Sequence, residues 1–392
     1  KSSRRTVSPK AVLGVGVVLN LSLLGYYKYA DFFLTNLNAA SGTDFNLLHL
    51  ALPLAISFFT FQQIAYLVDS YQGQTREYDF LNYCLFVTFF PQLIAGPIVH
   101  HKEMMPQFER MRGKVLNYKN LATGLFIFFI GLFKKVVIAD TFAVWATLGF
   151  DKMDELSFLA AWTVSLSYAI QLYFDFSGYT DMAIGSAYMF NIKLPLNFNS
   201  PYKALNIQDF WRRWHMTLSR WLRDYLYIPL GGNQKGEGRT YVNLFLTFLL
   251  GGLWHGAGWT FVVWGAMHGG GTAVQKWWQT LGIRMPKWLA WLITFNFVNF
   301  SWVFFRANSF DDAMKVLEGM FGLHGFELPK GIPDQAAILA VVFIAVAALA
   351  RNSMEMRERF TPTWRTAAFV GIAAAWGILG FSRVSEFLYF QF

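Results

Sequence analysis

The sequence predicts an all-α polytopic integral membrane protein, and three observations point to it. Of 392 residues, 55% are hydrophobic, 19% aromatic and only 15% charged, whereas a soluble domain carries about 25% charge and about 45–50% apolar residues. The apolar residues recur in runs approaching the roughly 20 that a helix needs to cross a bilayer core of about 30 Å. Between the runs, basic residues gather asymmetrically: Lys102, Arg110, Arg112, Lys114 and Lys119 in one loop, Arg351, Arg357, Arg359 and Arg365 in another. That bias marks cytoplasmic loops. The same figures exclude a soluble enzyme and a disordered or nucleic-acid-binding chain. The net charge of +9 comes from only 33 Lys+Arg and 24 Asp+Glu, and the aromatics lie in apolar runs rather than between cations. A single cysteine, Cys84, excludes an intramolecular disulfide or a cysteine metal cluster.

Taken in order, the chain begins without Met in a basic string, Lys1, Arg4, Arg5 and Lys10. No small-residue cleavage pattern follows the apolar run Ala11–Gly25, so it reads as a transmembrane helix and not a signal peptide, with natural spans expected upstream. Spans are predicted at Ala11–Tyr27, Leu47–Val68, Leu121–Ala139, Leu156–Phe174, Tyr241–Leu253, Trp259–Val274, Trp288–Phe305, Gln335–Ala350 and Thr366–Phe381. The run Leu81–Val99 holds Pro91 and Gly96-Pro97, which break helical hydrogen bonding; a broken or re-entrant segment packed on protein tolerates that. The near-neutral stretch 28–46 and the net acidic loop 151–155 suit the outer side. Without a repeat, linker or composition break, residues 1–392 read as a single membrane domain of about nine to eleven spans.

The stretch 175–239 is too polar to span and too aromatic for a water-exposed loop. Wound as a helix, 210–225 places Trp211, Trp214, Leu218, Trp221, Leu222 and Tyr225 on one face and Arg212, Arg213, Arg220 and Arg223 opposite. This predicts an in-plane helix at the cytoplasmic interface, capped by Asn206 or Asp209 and ended near Pro229 and Gly231-Gly232.

Chemistry in this chain rests on histidine. His215 falls at the border of the apolar face; it reads either as an interfacial histidine bonded to a carbonyl or as a proton carrier beside arginines that could hold phosphates. His255 is sharper, because no charged residue occurs from Thr240 through Gln275. An ionisable group at membrane depth costs a few kcal/mol unless partnered or facing a cavity, so its default reading is functional. Gly251, Gly252, Gly256 and Gly258 around it permit close backbone approach; a histidine satisfied by carbonyls freed at those glycines is the structural alternative. His268, 13 residues on, matches no ligand spacing, no HExxH or paired CxxC occurs, and a metal site is not expected. His49, His100, His101 and His324 are read as structural. Asp175 and Asp181 would face differently on a continuing helix, so they form no acid/base dyad; Asp175 orients a histidine or caps the interface. No serine-hydrolase elbow, phosphate-binding loop or dinucleotide motif is present, and the turn 231–236 is read as structural.

The motifs FFPQLIAGPI at 89–98, FDFSGYTDMAIG at 174–185, NFNSPY at 197–202, DFWRRWHMTLSRWLRDYLYIPLGGN at 209–233, GGLWHGAGWTFVVWGAMHG at 251–269 and WVFFRA at 302–307 resemble, in order, those of the membrane-bound O-acyltransferase (MBOAT) family. The likeness is to the bacterial branch containing the alginate O-acetylation protein AlgI and the teichoic-acid D-alanylation protein. The resemblance implies a ring of helices around a thinned centre and a tunnel from a cytoplasmic entrance to the outer face. It implies that His255 in WHG is the catalytic histidine and His215 in RRWH the second. Trp254, Asp175, Asn199, Arg212 and Arg213 are further expected along the donor tunnel, where Arg212 and Arg213 could receive the phosphates of a coenzyme A donor. The expected reaction passes an acetyl group from a cytoplasmic thioester, acetyl-CoA or an acyl carrier, across a bacterial inner membrane. The polysaccharide acceptor is expected to be alginate-like, reached through a periplasmic O-acetyltransferase partner. No resident cofactor is expected. A proton-coupled transporter or flippase of an envelope precursor is the alternative; the inverted repeats common in transporters are absent from the sequence.

Overall fold

The computed structural model describes residues 8–75, 79–94, 96–109, 115–327 and 331–382, and among these the regular structure is entirely helical. Lys1, Arg4, Arg5, Arg110, Arg112 and Lys114 lie outside the described residues. Helix α1 (Pro9–Ser41) runs for 33 residues through a π turn at Gly25–Tyr29. It therefore takes in most of the stretch 28–46 that reads as an outer loop. The asparagines there do not break the helix, because side chains such as Asn36 bond back to the carbonyl four residues earlier. Gly42 ends it with φ +65°. The chain then runs without regular structure to Pro53, held by the Asp31 carboxylate, which accepts the N–H groups of Leu48 and His49 at 2.7 and 2.9 Å. The predicted span Leu47–Val68 is accordingly only partly helical. Its helix, α2 (Ile56–Tyr71), starts after Pro53 and after Ala55 in the left-handed region, φ +59°.

Helix α3 (Phe80–Thr88) is capped by Asp79, which accepts from the Leu81 N–H. It packs back along α2, with Tyr83 bonded to Gln63, and stops at an irregular turn containing Pro91 and Pro97. The chain then returns to the last turn of α2, where His100 meets Tyr225 and Asp69. This is the broken, re-entrant course that the two prolines demand. Helix α4 (His101–Phe108) follows.

Helices α5 (Tyr118–Lys152) and α6 (Phe158–Met189) form the central pair. The span expected at Leu156–Phe174 does not stop there: α6 continues through Asp175 and Asp181 for 32 residues, about 48 Å at 1.5 Å per residue, and is buried along most of its length. Both carboxylates are neutralised from α5. Lys134 Nζ lies 2.8 Å from Asp181, and Lys135 Nζ 2.8 Å from Asp175 and 2.7 Å from Asp140. The lysines occupy a π stretch, Phe133–Ala139. Between the same helices, Gly124 faces Gly185 and Gly131 faces Gly178; a Cβ on any of the four would come within 2.7 Å of the opposing backbone oxygen. Seven-residue spacing on both antiparallel helices puts the two contacts in register, the small-residue packing on which membrane helices rely.

The in-plane element is broken where one helix is predicted. Helix α7 (Ile207–Trp211) is capped by Asn206, which accepts from the Asp209 N–H at 2.8 Å; α8 (Met216–Leu222) begins after His215. Five of the six expected face residues, all but Tyr225, are nevertheless buried. Helices α9 (Glu237–His255), α10 (Trp259–Thr280), α11 (Lys287–Arg306), α12 (Phe310–Met320), α13 (Asp334–Leu349), α14 (Ser353–Glu358) and α15 (Trp364–Leu379) follow among the described residues. Exposed Val15, Leu19, Ile338, Val341, Ile372 and Trp376 give α1, α13 and α15 apolar outer faces suited to lipid.

The basic segments meet at one end of the helices. Asn352 bonds Ser200, Arg357 bonds Tyr188, and Gln107 bonds the Lys193 carbonyl. At the opposite end Arg306 pairs with Asp151, and Lys315 holds the carbonyls of Phe150 and Met153.

Candidate functional site

Helix α9 ends at Trp254-His255 because Gly256 turns extended, and a Cβ at Gly256 would lie 2.0 Å from the Phe261 ring. One turn earlier, Gly252 packs on Gly265, where a Cβ would meet the Phe261 carbonyl at 2.4 Å. The last carbonyls of a helix lack intrahelical partners. Here α1 supplies them: Lys28 Nζ donates to Trp254 O at 2.7 Å and His255 O at 2.9 Å, and Tyr29 donates to Leu253 O at 2.6 Å. A cation at a helix C-terminus also opposes the negative end of its dipole.

The His255 ring is buried among Trp254, Trp264 and Phe305, with centroids 4.8 to 5.1 Å away. Its Nδ1 has no hydrogen-bond partner among the described residues. His255 lines a cavity of about 40 Å³ together with Lys28, Ile56, Phe58 and Ile94. A larger cavity of about 300 Å³, lined by Asp31, Leu50 and Gly256, shares Lys28 and Leu52 with it.

His215 joins α7 to α8 with φ +41° and is fully buried. A non-glycine residue held there is strained, a feature that clusters at functional sites. Asn197 fixes its ring. The Asn197 side-chain oxygen accepts the Thr217 N–H at 3.2 Å and the Thr217 hydroxyl at 2.8 Å, so it is an acceptor, and His215 Nδ1 at 3.1 Å must be the donor. That leaves Nε2 as a bare lone pair, buried and without a partner among the described residues. Phe176 and Phe198 flank the ring, and Phe58 lies 6.4 Å from it. Phe58 also packs on Trp254 and lines the His255 cavity, so it stands between the two histidine sites. On the basic side a cavity of about 670 Å³ is lined by Trp211, Arg212, Thr217, Arg220 and Arg223.

His268 has the opposite character. Trp211 Nε1 donates to its Nδ1 at 3.1 Å, and its Nε2 lies 2.9 Å from Ser301 Oγ, which itself donates to Val298 O. Both ring nitrogens are used, so the residue ties α7, α10 and α11 together. The other predicted site residues divide. Trp254 lines the His255 cavity and Arg212 the basic-side cavity. Asp175 is taken up by Lys135 on α5. Arg213 is held by Asp209 at 2.9 Å and by Asn199 O, and Asn199 bonds Asn352, so these two staple the in-plane element to the chain around them. No cluster of three His, Cys, Asp or Glu able to hold a metal occurs among the described residues.

Sequence reasoning missed Lys28, Tyr29 and Asn197. Lys28 did carry a signal, a cation inside a long apolar run, but its tyrosine neighbours give it the look of an interface belt. Asn197 stood at the head of the motif NFNSPY, but nothing in the sequence marked it as the partner of His215.

The sequence profile of the MBOAT, membrane-bound O-acyltransferase family, matches residues 70–310, and the chain belongs to this family. Across 96% of its length it is 51% identical to a peptidoglycan O-acetyltransferase of Helicobacter pylori, covering 82% of that protein. It is 41% identical to a probable alginate O-acetylase AlgI of Pseudomonas aeruginosa over 93% of the chain and 70% of the relative. A teichoic acid D-alanyltransferase of Bacillus subtilis is 30% identical over 66% of the chain and 69% of the relative. The protein is therefore a membrane acyltransferase.

Proposed function

We propose that this protein takes an acetyl group from a cytoplasmic thioester and delivers it across the bacterial inner membrane for O-acetylation of a cell-envelope polysaccharide. The observation that carries the reading is His255: a buried histidine whose Nδ1 has no partner among the described residues and which lines a small cavity beside a larger one that shares Lys28 and Leu52 with it.

In the proposed step the acceptor hydroxyl oxygen bonds to the thioester carbonyl carbon while His255 takes its proton. The C–S bond breaks, and the proton passes to the leaving thiolate. A histidine suits this because its ordinary pKa lies near working pH. The apolar rings around it keep out water that would hydrolyse the acyl group. His215, with Nε2 bare, assists as a second proton acceptor. The donor is acetyl-CoA or an acyl carrier; the 670 Å³ cavity receives its phosphates at Arg212. Arg213, occupied by Asp209, is withdrawn from that role.

The relatives bear on the acceptor. Identity of 51% to a peptidoglycan enzyme against 41% to an alginate one favours peptidoglycan over the alginate-like polymer that the motifs suggest. A periplasmic O-acetyltransferase is the proposed partner that receives the group. Family membership removes the support for a transporter. The test is to incubate the purified protein with radiolabelled acetyl-CoA, wild type beside His255→Ala, and follow thioester loss and label on protein. Histidine-dependent loss is expected. A folded His255→Ala protein of normal activity overturns the reading.

A further inference from the structure

We infer that the groove between α10 and α11 on the basic side binds a phospholipid with an anionic headgroup, and that this lipid braces the start of the in-plane element. The site is separate from the His255 and His215 cavities and stands whatever reaction those residues perform. Shape, charge and position carry it.

The two helices touch where Gly271 meets Phe297; a Cβ at Gly271 would lie 2.7 Å from that ring. From there toward the loop 281–286 they bound a cavity of about 660 Å³, joined by Leu205, Asn206 and Ile207 on the third side. Val274, Trp278, Ile283, Ile293 and Phe297 make its walls mostly apolar, with a few amides and one cation among them, the size and lining of a ligand site. Nine residue steps of α10 separate Gly271 from Thr280, about 14 Å of helix. That is the depth of one leaflet in a bilayer core of about 30 Å. Val274, Ile283 and Ile293 are each more than half exposed, so the groove presents apolar surface that an acyl chain entering from the membrane would cover.

The mouth of the groove is basic. No Asp or Glu occurs from Gly238 through Phe310, whereas Lys276, Arg284 and Lys287 fall close together. None of the three is paired with a carboxylate among the described residues. Lys287 lines the cavity, and Arg284 stands between its lining residues Ile283 and Met285. Lys287 also opens α11, whose first turn holds no acid and no capping side chain. A helix start favours an anion, so a cation placed there adds to the demand for one. Trp278 folds the loop by donating to Ile283 O at 3.2 Å, and Trp288 is exposed beside Lys287; such aromatics sit at headgroup depth. Basic pockets between membrane helices take anionic headgroups. A free phosphate would satisfy the cations and leave the apolar groove bare, whereas an anionic phospholipid fills both.

The third wall gives the site its consequence. Asn206 caps α7 by accepting the Asp209 N–H at 2.8 Å, and Ile207 is the first residue of that helix. Both line the groove. An occupant therefore holds the start of the element that leads to His215.

The experiment places the full chain in nanodiscs of phosphatidylcholine and phosphatidylglycerol, with a trace of either lipid carrying a diazirine on one acyl chain, and maps the photolabel by mass spectrometry. Labelling of 271–297 is expected to be at least fivefold greater from the phosphatidylglycerol probe and to be cleared by unlabelled phosphatidylglycerol. Labelling of the lipid-facing helices α13 and α15 should be equal from both probes. One Lys or Arg near an anionic lipid is worth about fivefold, so Arg284→Gln with Lys287→Gln should cut the 271–297 label at least fivefold. Ala290→Phe, which fills the cavity without altering charge, should do the same. Unchanged labelling of α13 and α15 and a normal melt show that these variants are folded. Amide exchange at 207–211 should be slower with phosphatidylglycerol than in phosphatidylcholine alone, and this difference should vanish in both variants. Labelling of 271–297 within twofold from the two probes overturns the lipid site, as does labelling unchanged in both variants. Clearance of the label by inorganic phosphate or coenzyme A as effective as that by phosphatidylglycerol also overturns it, in favour of a soluble anion. Amide exchange indifferent to phosphatidylglycerol overturns the bracing of α7.

Discussion

The ammonium of Lys28 lies 2.9 Å from the carbonyl oxygen of His255, 227 residues further along the chain. The contact closes the end of α9 from a different helix, so the orientation of the histidine depends on α1 as much as on the glycines beside it. It also puts the Lys28 amine on the wall of the His255 cavity.

Lys28→Met should lower acyl transfer at least tenfold while the protein still folds, because two terminal carbonyls of α9 lose a charged donor worth about 1.5–3 kcal/mol. Lys28→Arg keeps the charge and should retain part of the activity. Steady-state thioester turnover checks this, with thermal melting in detergent to separate activity from folding; wild-type activity in Lys28→Met contradicts the clamp.

Removing His268 should act on stability rather than on chemistry. His268→Leu leaves the Trp211 indole N–H without its buried acceptor, a cost of about 1–3 kcal/mol. His255→Gln should melt near wild type and be inactive. Thermal melting of the two variants side by side decides the matter, and equal stability loss in both refutes the division of roles.

Asn197 sets which nitrogen of His215 carries the proton. Asn197→Leu removes that control and is expected to lower kcat roughly ten- to a hundredfold with a smaller change in KM, as loss of an orienting partner does. Asn197→Asp keeps an acceptor oxygen and adds negative charge, which favours protonated His215. The base is then disarmed up to a higher pH, so the acid limb of the pH–rate profile should move upward. An unmoved limb argues that His215 does not take part in proton transfer.

The Lys134–Asp181 pair is buried between α5 and α6. Lys134→Met alone leaves an uncompensated carboxylate and should cost about 3–5 kcal/mol, whereas Lys134→Met with Asp181→Leu should recover most of it. Yield of monodisperse protein and its melting temperature report both. A double variant no better than the single one indicates that the charges do more than balance each other.

At the other end of α2 from the His255 cavity, the Tyr225 hydroxyl donates to Asp69 at 2.7 Å and meets His100 Nδ1 at 2.9 Å. Burial and the neighbouring carboxylate push this hydroxyl upward, so it remains the donor. Tyr225→Phe should free the returning re-entrant segment from α2 and increase proteolytic cleavage near His100. Unchanged cleavage would show that packing alone holds that segment.

Hydropathy by itself determined much of this protein. It marked a helical membrane chain, the two ends distinguished by charge, the broken course after Leu81, and the histidine in a stretch free of charge from Thr240 to Gln275. These are local properties: a run of apolar side chains must be helical in lipid, and prolines must interrupt it, whatever surrounds them. Only the tertiary structure decided that α6 runs on through Asp175 and Asp181, because their acceptability depends on lysines 40 or more residues away on α5. It alone decided that the in-plane element breaks at His215, since helical periodicity across 210–225 is intact and the strained φ is sustained by Asn197 and the surrounding rings. It alone brought Lys28 to His255. Ion pairs, carbonyl caps and glycine contacts join residues distant in sequence, and each becomes favourable only when another helix supplies the partner.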